Sequence, residues 1–413
     1  GYVIADAVQF VELDEAGKPV AGEALADDMQ KKMKADIEAM KGSVAKLGEQ
    51  LKQTEDNAPP PLPTALAASD FSKANDCEIC IRGEHKNLGD KVPRGFLQVA
   101  MSSSASLPEF SEKESGRREL ADWIASGKHP LTSRVIVNRV WSHLLGEGIV
   151  RSVDNFGALG ERPTHPKLLD HLAHRFVSPA EGDADGFGWS IKQLVREIVL
   201  SRTYQMSSRH DEASWEKDAE NRLLWRANRK RLPAEAIRDS MLMISGKLDR
   251  TPGGSPVAGL GVLVSNNQPD AEEYEAQTGV KRSLYMPVIR NELPPLLTVF
   301  DFADPDLVVG KRPVTNVPAQ ALLLMNSPFV MDVAEQALQR LLKDESQSSS
   351  AIVDRMYRTI LSRPPTDAER ERALTFIQAE ADTPIATWTD DSKKKAERFV
   401  HVLIASTEFR MLD

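Results

Sequence analysis

Six polar residues crowd the stretch between positions 138 and 165: Asn138, Arg139, His143, Asp154, Glu161 and His165. Arg139 and His143 are four apart, as are Asn138 and Ser142, so on a helix each pair shares a face. Asp154-Asn-Phe-Gly157 and Gly160-Glu-Arg-Pro-Thr-His-Pro166 then add acids, a histidine and turn glycines. Such a set can build a cleft for general acid–base chemistry. Asp154 or His165 would carry the proton and Arg139 would clamp an anion, while Asn138, His143 and Glu161 would hold the substrate. The same residues also support a purely structural reading. A charge near a core needs a partner, so Arg139 can pair with Asp154 or Glu161 to fasten a loop onto a helix, with Thr164 or His165 capping the next helix. The structural reading is the simpler one.

Other chemistry-bearing residues fall short of a recognised machine. Cys77 and Cys80 form a lone CxxC, but Ile81 stands where a c-type haem site needs histidine, and no further pair of soft ligands follows at zinc spacing. The residues around them read as a strand, which turns positions i and i+3 to opposite faces. Two structural cysteines are the preferred reading, and a redox or disulfide role is the other. Arg222, Arg226, Arg229, Lys230 and Arg231 surround Trp225, yet Glu235 and Asp239 follow and no nucleic-acid motif accompanies them; internal pairing or a solvated face accounts for the run. Asp301, Asp304 and Asp306 lack the glycine and terminal glutamate of an EF-hand loop. Glu272, Glu273 and Glu275 read as solvated. The GxSxG elbow, P-loop, HExxH and GxGxxG patterns are all missing.

The balance of the chain narrows its class. With 413 residues, 41% hydrophobic and 27% charged, it is long enough for a large core and ordinary for a globular protein. A net charge of -9 and a pI near 5.6 argue against a general binder of nucleic acid or anionic membranes. No run reaches the roughly 18 apolar residues of a membrane span.

These residues must be positioned by helices. Thr132 is a candidate N-cap for a central, buried helix carrying Val135, Ile136, Val140, Trp141, Leu144 and Leu145. Pro166, Pro233 and Pro318 fit first-turn positions of later helices, Ser190 starts another, and Thr366-Asp-Ala-Glu369 is a capping box. Upstream, Met29, Met33, Ile37, Met40, Val44, Leu47 and Leu51 form a heptad-like stripe on a long amphipathic helix, read first as one that lies against its own protein and second as an intermolecular coiled coil. A Pro-rich connector follows at 57–75. Short strands are expected at CEICI (77–81), FLQVA (96–100) and RSLYMPVI (282–289), and a long loop at Gly253–Gln277. The fold class is therefore mainly α, a multi-helix globular domain over 76–413 with small β elements and one long N-terminal helix over 19–56.

Residues Arg117–Phe176 together with Gly188–Ser208, Asn221–Asp249, Lys311–Val330 and Leu361–Glu369 resemble the signature of a planctomycete-type domain of unknown function. The resemblance covers about Cys77 to the C-terminus. It implies the C-terminal part of a large exported protein, extracytoplasmic in location, with a planctomycete-type cytochrome c domain upstream. Haem c would then belong to an upstream domain or a partner, with no cofactor in this chain. The opening Tyr2–Val11 stretch resembles the last strand of a golvesin-like β-sandwich, so residues 1–18 are expected to end an upstream β domain. Any export signal would also lie upstream.

Three functions follow. The first is an accessory or interaction module that docks a c-type cytochrome domain or another partner and catalyses nothing itself. The second is an enzyme acting on polysaccharide with its cleft near 138–165. The third is a structural protein of a surface layer or filament, assembling as a homo-oligomer through residues 23–55.

Overall fold

Amphipathic spacing and helix punctuation dominate the architecture. The computed structural model describes residues 23–57, 67–70, 73–101, 106–111, 113–180, 185–252, 279–288 and 293–412. The expected opening strand and the Gly253–Gln277 loop with its three glutamates lie outside the described residues, as does most of the Pro-rich connector. The chain divides into two units, 1–72 and 73–413.

The first unit contains helix α1, Glu23–Asp56. Its 34 residues extend roughly 50 Å at 1.5 Å per residue. The apolar stripe is exposed along its whole length, from 45% at Ile37 to 70% at Met29.

The second unit opens with an antiparallel pair, β1 (Cys77–Cys80) and β2 (Leu88–Val92). The partner strand is thus LGDKV rather than the expected FLQVA. Pro93 has no N–H to extend the ladder, and the FLQVA residues instead form a short 3-10 turn at Gln98–Ala100. Phe96 stacks on Trp123 at 4.7 Å. Cys77 and Cys80 are both free and exposed.

Helices then follow: α2 (Arg117–Ile124), α3 (Thr132–Leu145), α4 (Pro166–Val177), α5 (Ile191–Leu200) and the single-turn α6 (Glu212–Trp215). After the two-residue β3 (Lys230–Arg231) come α7 (Ala234–Ser245), α8 (Pro295–Val299), α9 (Pro318–Asn326), α10 (Pro328–Leu341), α11 (Ser349–Leu361), α12 (Asp367–Ile377) and α13 (Asp390–Ala405). The described residues hold thirteen helices and few short strands, so the protein is mainly α. The closing strand β4 (Met411–Leu412) pairs antiparallel with β3 and pins the end of the chain to its middle.

Two cores organise this unit. Val137, Trp141 and Leu145 of α3 meet Leu169, Leu172 and Phe176 of α4 and Leu194 and Ile198 of α5. The larger core is built by α7 to α13 around Ile237, Met241, Leu324, Val333, Met356 and Ile404. Punctuation explains many helix starts: Ser190 accepts from the Gln193 N–H, Pro166 and Pro318 occupy first-turn positions, and Thr366 and Glu369 close a reciprocal capping box.

Two helix starts and one strand differ from the sequence expectation. Pro233 is the N-cap residue of α7 rather than part of its first turn. Thr132 is the first residue of α3 rather than its cap, and its hydroxyl donates to the Ile124 carbonyl at 2.7 Å. The His129 ring caps instead, its Nδ1 accepting from the N–H groups of Leu131 (3.3 Å) and Thr132 (3.2 Å). Burial holds the His129 pKa below its ordinary value, which favours the neutral ring that this role requires. Residues 282–288 form no strand; Ser283–Tyr285 is a 3-10 turn held where Ser283 accepts from Arg238.

Candidate functional site

The central helix α3 carries the first two site residues to different depths. Asn138 is fully buried, and its amide donates to the Val150 carbonyl at 2.9 Å and accepts from the Val150 N–H at 2.8 Å. Both hydrogen bonds are spent on the backbone of one residue, Val150. Such a side chain is a surrogate strand partner for the loop and is not available to a substrate. Gly148 is required beside it, since a Cβ there would meet the Asn138 amide and the Val150 carbonyl.

Arg139, one residue on, reaches the surface. Its Nη2 lies 3.1 Å from Asp154 Oδ1, and its Nε is buried without a partner. The other Asp154 oxygen accepts from the Gly310 N–H at 3.0 Å. Both oxygens of the candidate proton carrier are therefore engaged. His165 precedes α4, where its carbonyl accepts from the Leu168 and Leu169 N–H groups. Its side chain makes no cap, and Nδ1 lies 2.9 Å from the Thr164 hydroxyl. Glu161 lies 3.9 Å from Arg222, not from Arg139. His143 is exposed, and its carbonyl takes a 3.3 Å contact from Lys230 Nζ. The structure thus joins Arg139 to Asp154, but it sends Asn138, Glu161 and His165 to separate partners.

A family model described as PSD1, a protein of unknown function (DUF1553), matches residues 116–377. That is well over half of the chain. The chain belongs to the PSD1 family. Neither the curated proteins nor the solved structures provide a match.

The PSD1 region contains further polar residues that tie its two cores together. Lys311 donates to both oxygens of Glu147 at 2.9 Å, next to the Asp154–Gly310 contact. Arg312 forms a bidentate pair with Glu235 of α7 at 2.9 and 2.8 Å. A short basic-turn segment therefore holds the smaller core on one side and the larger core on the other. Arg231 and Asp301 form an ion pair at 2.6 Å, with side chains only 9% and 12% exposed. Thr315 completes it, donating to Asp301 from both its backbone and its hydroxyl. Burial alone would raise the Asp301 pKa; the bonds from Thr315 and Arg231 outweigh it and leave the carboxyl below its ordinary value. Asp301 is thereby paired with an arginine, and Asp304 accepts from the Asp306 N–H.

Lys230, one member of the basic run, has a structural role in this chain. Its ammonium donates to the Leu144 carbonyl at 2.5 Å, while Asn228 donates to the Leu145 carbonyl at 3.0 Å. These groups satisfy the orphan carbonyls at the end of α3, where a positive charge is also favoured by the helix dipole. Burial keeps the Lys230 pKa below the usual lysine range. Among the described residues, no group of three or more His, Cys, Asp or Glu could hold a metal ion. The sequence signal for Lys230 and Arg231 was a charge run; their partners lie 69 to 87 positions away and leave no local pattern.

Proposed function

We propose that this chain is an interaction module that assembles through α1, and that its polar cluster fastens the body together. The observation that carries this reading is the exposed stripe from Met29 to Leu51. Fours and threes between apolar positions match the seam of a coiled coil, and each such side chain contributes about 1.5–3 kcal/mol when fully buried. A second copy of the same helix is the occupant that such a repeat fits. Among the charged residues beside the stripe, Glu38 and Lys41 are paired at 2.9 Å.

The resemblance read from the sequence extends this proposal. The module would be the C-terminal part of an exported, extracytoplasmic protein and would bring a c-type cytochrome domain, upstream or in a partner, into the assembly. A second reading, an enzyme acting on polysaccharide, draws on the half-exposed Arg139–Asp154 pair. The molar mass of the full chain across concentration tests the assembly. Association above the 45.6 kDa monomer is expected, and it should be abolished by the combined substitutions Met33→Glu, Met40→Glu and Leu47→Glu. A wild-type chain that stays monomeric at every concentration contradicts the proposal. Upstream sequence lacking both an export signal and CxxCH would remove the cytochrome part.

A further inference from the structure

A basic cleft lies apart from the Arg139 clasp. It measures about 440 Å³ and is lined by Met206–His210 on one side and by Arg226 and Arg229 on the other. The two walls are joined where the Ala227 N–H donates to the Ser207 carbonyl at 3.0 Å.

Arg226 is held in place from below. Buried Asn221 donates to the Arg226 carbonyl at 2.9 Å and accepts from its N–H at 3.3 Å. The guanidinium lies 4.8 Å over the Trp225 ring, and the indole N–H of Trp225 donates to the Asp218 carbonyl at 2.8 Å. His210 packs against both Trp215 and Trp225, with centroids 6.1 Å apart in each case.

Arg226 differs from Arg222, Lys230 and Arg231 of the same basic run. Arg222 faces Glu220 and Glu161, Lys230 caps α3 and Arg231 holds Asp301. Among the described residues, the Arg226 guanidinium meets the Trp225 ring and no carboxylate, and Arg209 is bonded through its backbone N–H to Ser207 and likewise meets no carboxylate. One acid stands nearby: Glu212 contacts His210 at 2.9 Å. Asp211 is spent on the N–H of Ser214.

We propose that this cleft binds an oxyanion, a sulfate or phosphate ester, carried on a sugar-sized polar molecule. Arginine forks match oxyanions in charge and geometry, and a guanidinium already stacked on an indole loses little freedom on binding. The Ser207 and Ser208 side chains supply hydroxyls for the uncharged part of the ligand. The volume lies in the range of small-molecule sites and exceeds a lone oxyanion. This site is independent of assembly through α1.

Calorimetric titration of the full chain with glucose 6-sulfate, glucose 6-phosphate, glucose and sodium sulfate tests it. At least one sugar ester should bind, with glucose undetectable and sodium sulfate weaker. The double variant R209Q/R226Q should bind that ester at least tenfold more weakly, since it removes two charged hydrogen-bond donors that an oxyanion would meet. If the double variant melts below the wild type, the exposed R209Q alone should still weaken binding severalfold. Absence of binding by both esters, or equal affinity in wild type and both variants, overturns the site. Sodium sulfate binding as tightly as the esters overturns the sugar-sized ligand.

Discussion

Asp154 and Gly310 are joined by a 3.0 Å hydrogen bond across 156 positions of chain. The same carboxylate meets Arg139 of α3 at 3.1 Å, and the two residues after Gly310 reach Glu147 and Glu235. One short segment therefore fastens the α3–α5 core to the α7–α13 core. Two hydrophobic cores in one unit need such cross-ties, because apolar packing is non-directional and leaves their relative placement loosely defined.

Gly310 should not tolerate a side chain. A Cβ built on it would overlap the Asp154 carboxylate, so Gly310→Ala must push the acid away or shift the segment. A loss of about 1–3 kcal/mol is expected, in line with overpacking at other tight sites. Denaturant unfolding measures it, and a stability within about 0.5 kcal/mol of wild type would show that the segment yields freely.

Asn138→Ala should cost more than a surface change. It leaves both the N–H and the carbonyl of Val150 without their side-chain partner in a buried setting, at roughly 1–3 kcal/mol for each unsatisfied group. Thermal or chemical unfolding should show a drop of about 2–4 kcal/mol. An isosteric Asn138→Leu should not recover it, because the penalty belongs to the backbone groups left behind.

Much of this fold was legible from local chemistry. The buried helix Thr132–Leu145, the proline and serine starts of α4, α5 and α9, and the Thr366–Glu369 box all have signatures within one turn. Asn138, Arg139 and Asp154 could be singled out by type and spacing. The pairing of Arg139 with Asp154 was among the expected ones; the remaining partners were not. Gly310, the second partner of Asp154, lies 156 positions away and Asp301, the partner of Arg231, lies 70 away, and Val150 contributes only backbone, which every residue possesses. The misplaced strand shows the limit of apolar pattern: FLQVA looked like a partner for CEICI, yet Pro93 and the pull of Trp123 on Phe96 left LGDKV to pair. The cap on α3 was missed because an imidazole acceptor at His129 has no usual sequence sign.

Acid should weaken the fold through two carboxylates. The bond from Arg363, opposed by burial and aided by Thr366, brings Glu369 from 4.5 down to about 2, and Asp301 also lies below its ordinary 3.8. Their folded pKa values are below the unfolded ones, so unfolding takes up protons in this range. The stabilisation is fully present above about pH 5 and is lost as pH falls toward about 2. Unfolding curves from pH 6 to 2 should show this decline, and Glu369→Gln should flatten it. An unchanged slope in that variant would remove Glu369 from the account.

The most direct test of the fastening role is amide hydrogen exchange over residues 304–312 in the wild type and in Asp154→Ala. Fastening predicts that the Gly310 amide, its acceptor gone, exchanges at least about tenfold faster, with Lys311 and Arg312 following, as local opening becomes roughly 1.4 kcal/mol easier. Exchange at Gly310 that is indistinguishable between the two proteins would contradict it and return Asp154 to the candidates for a reaction centre.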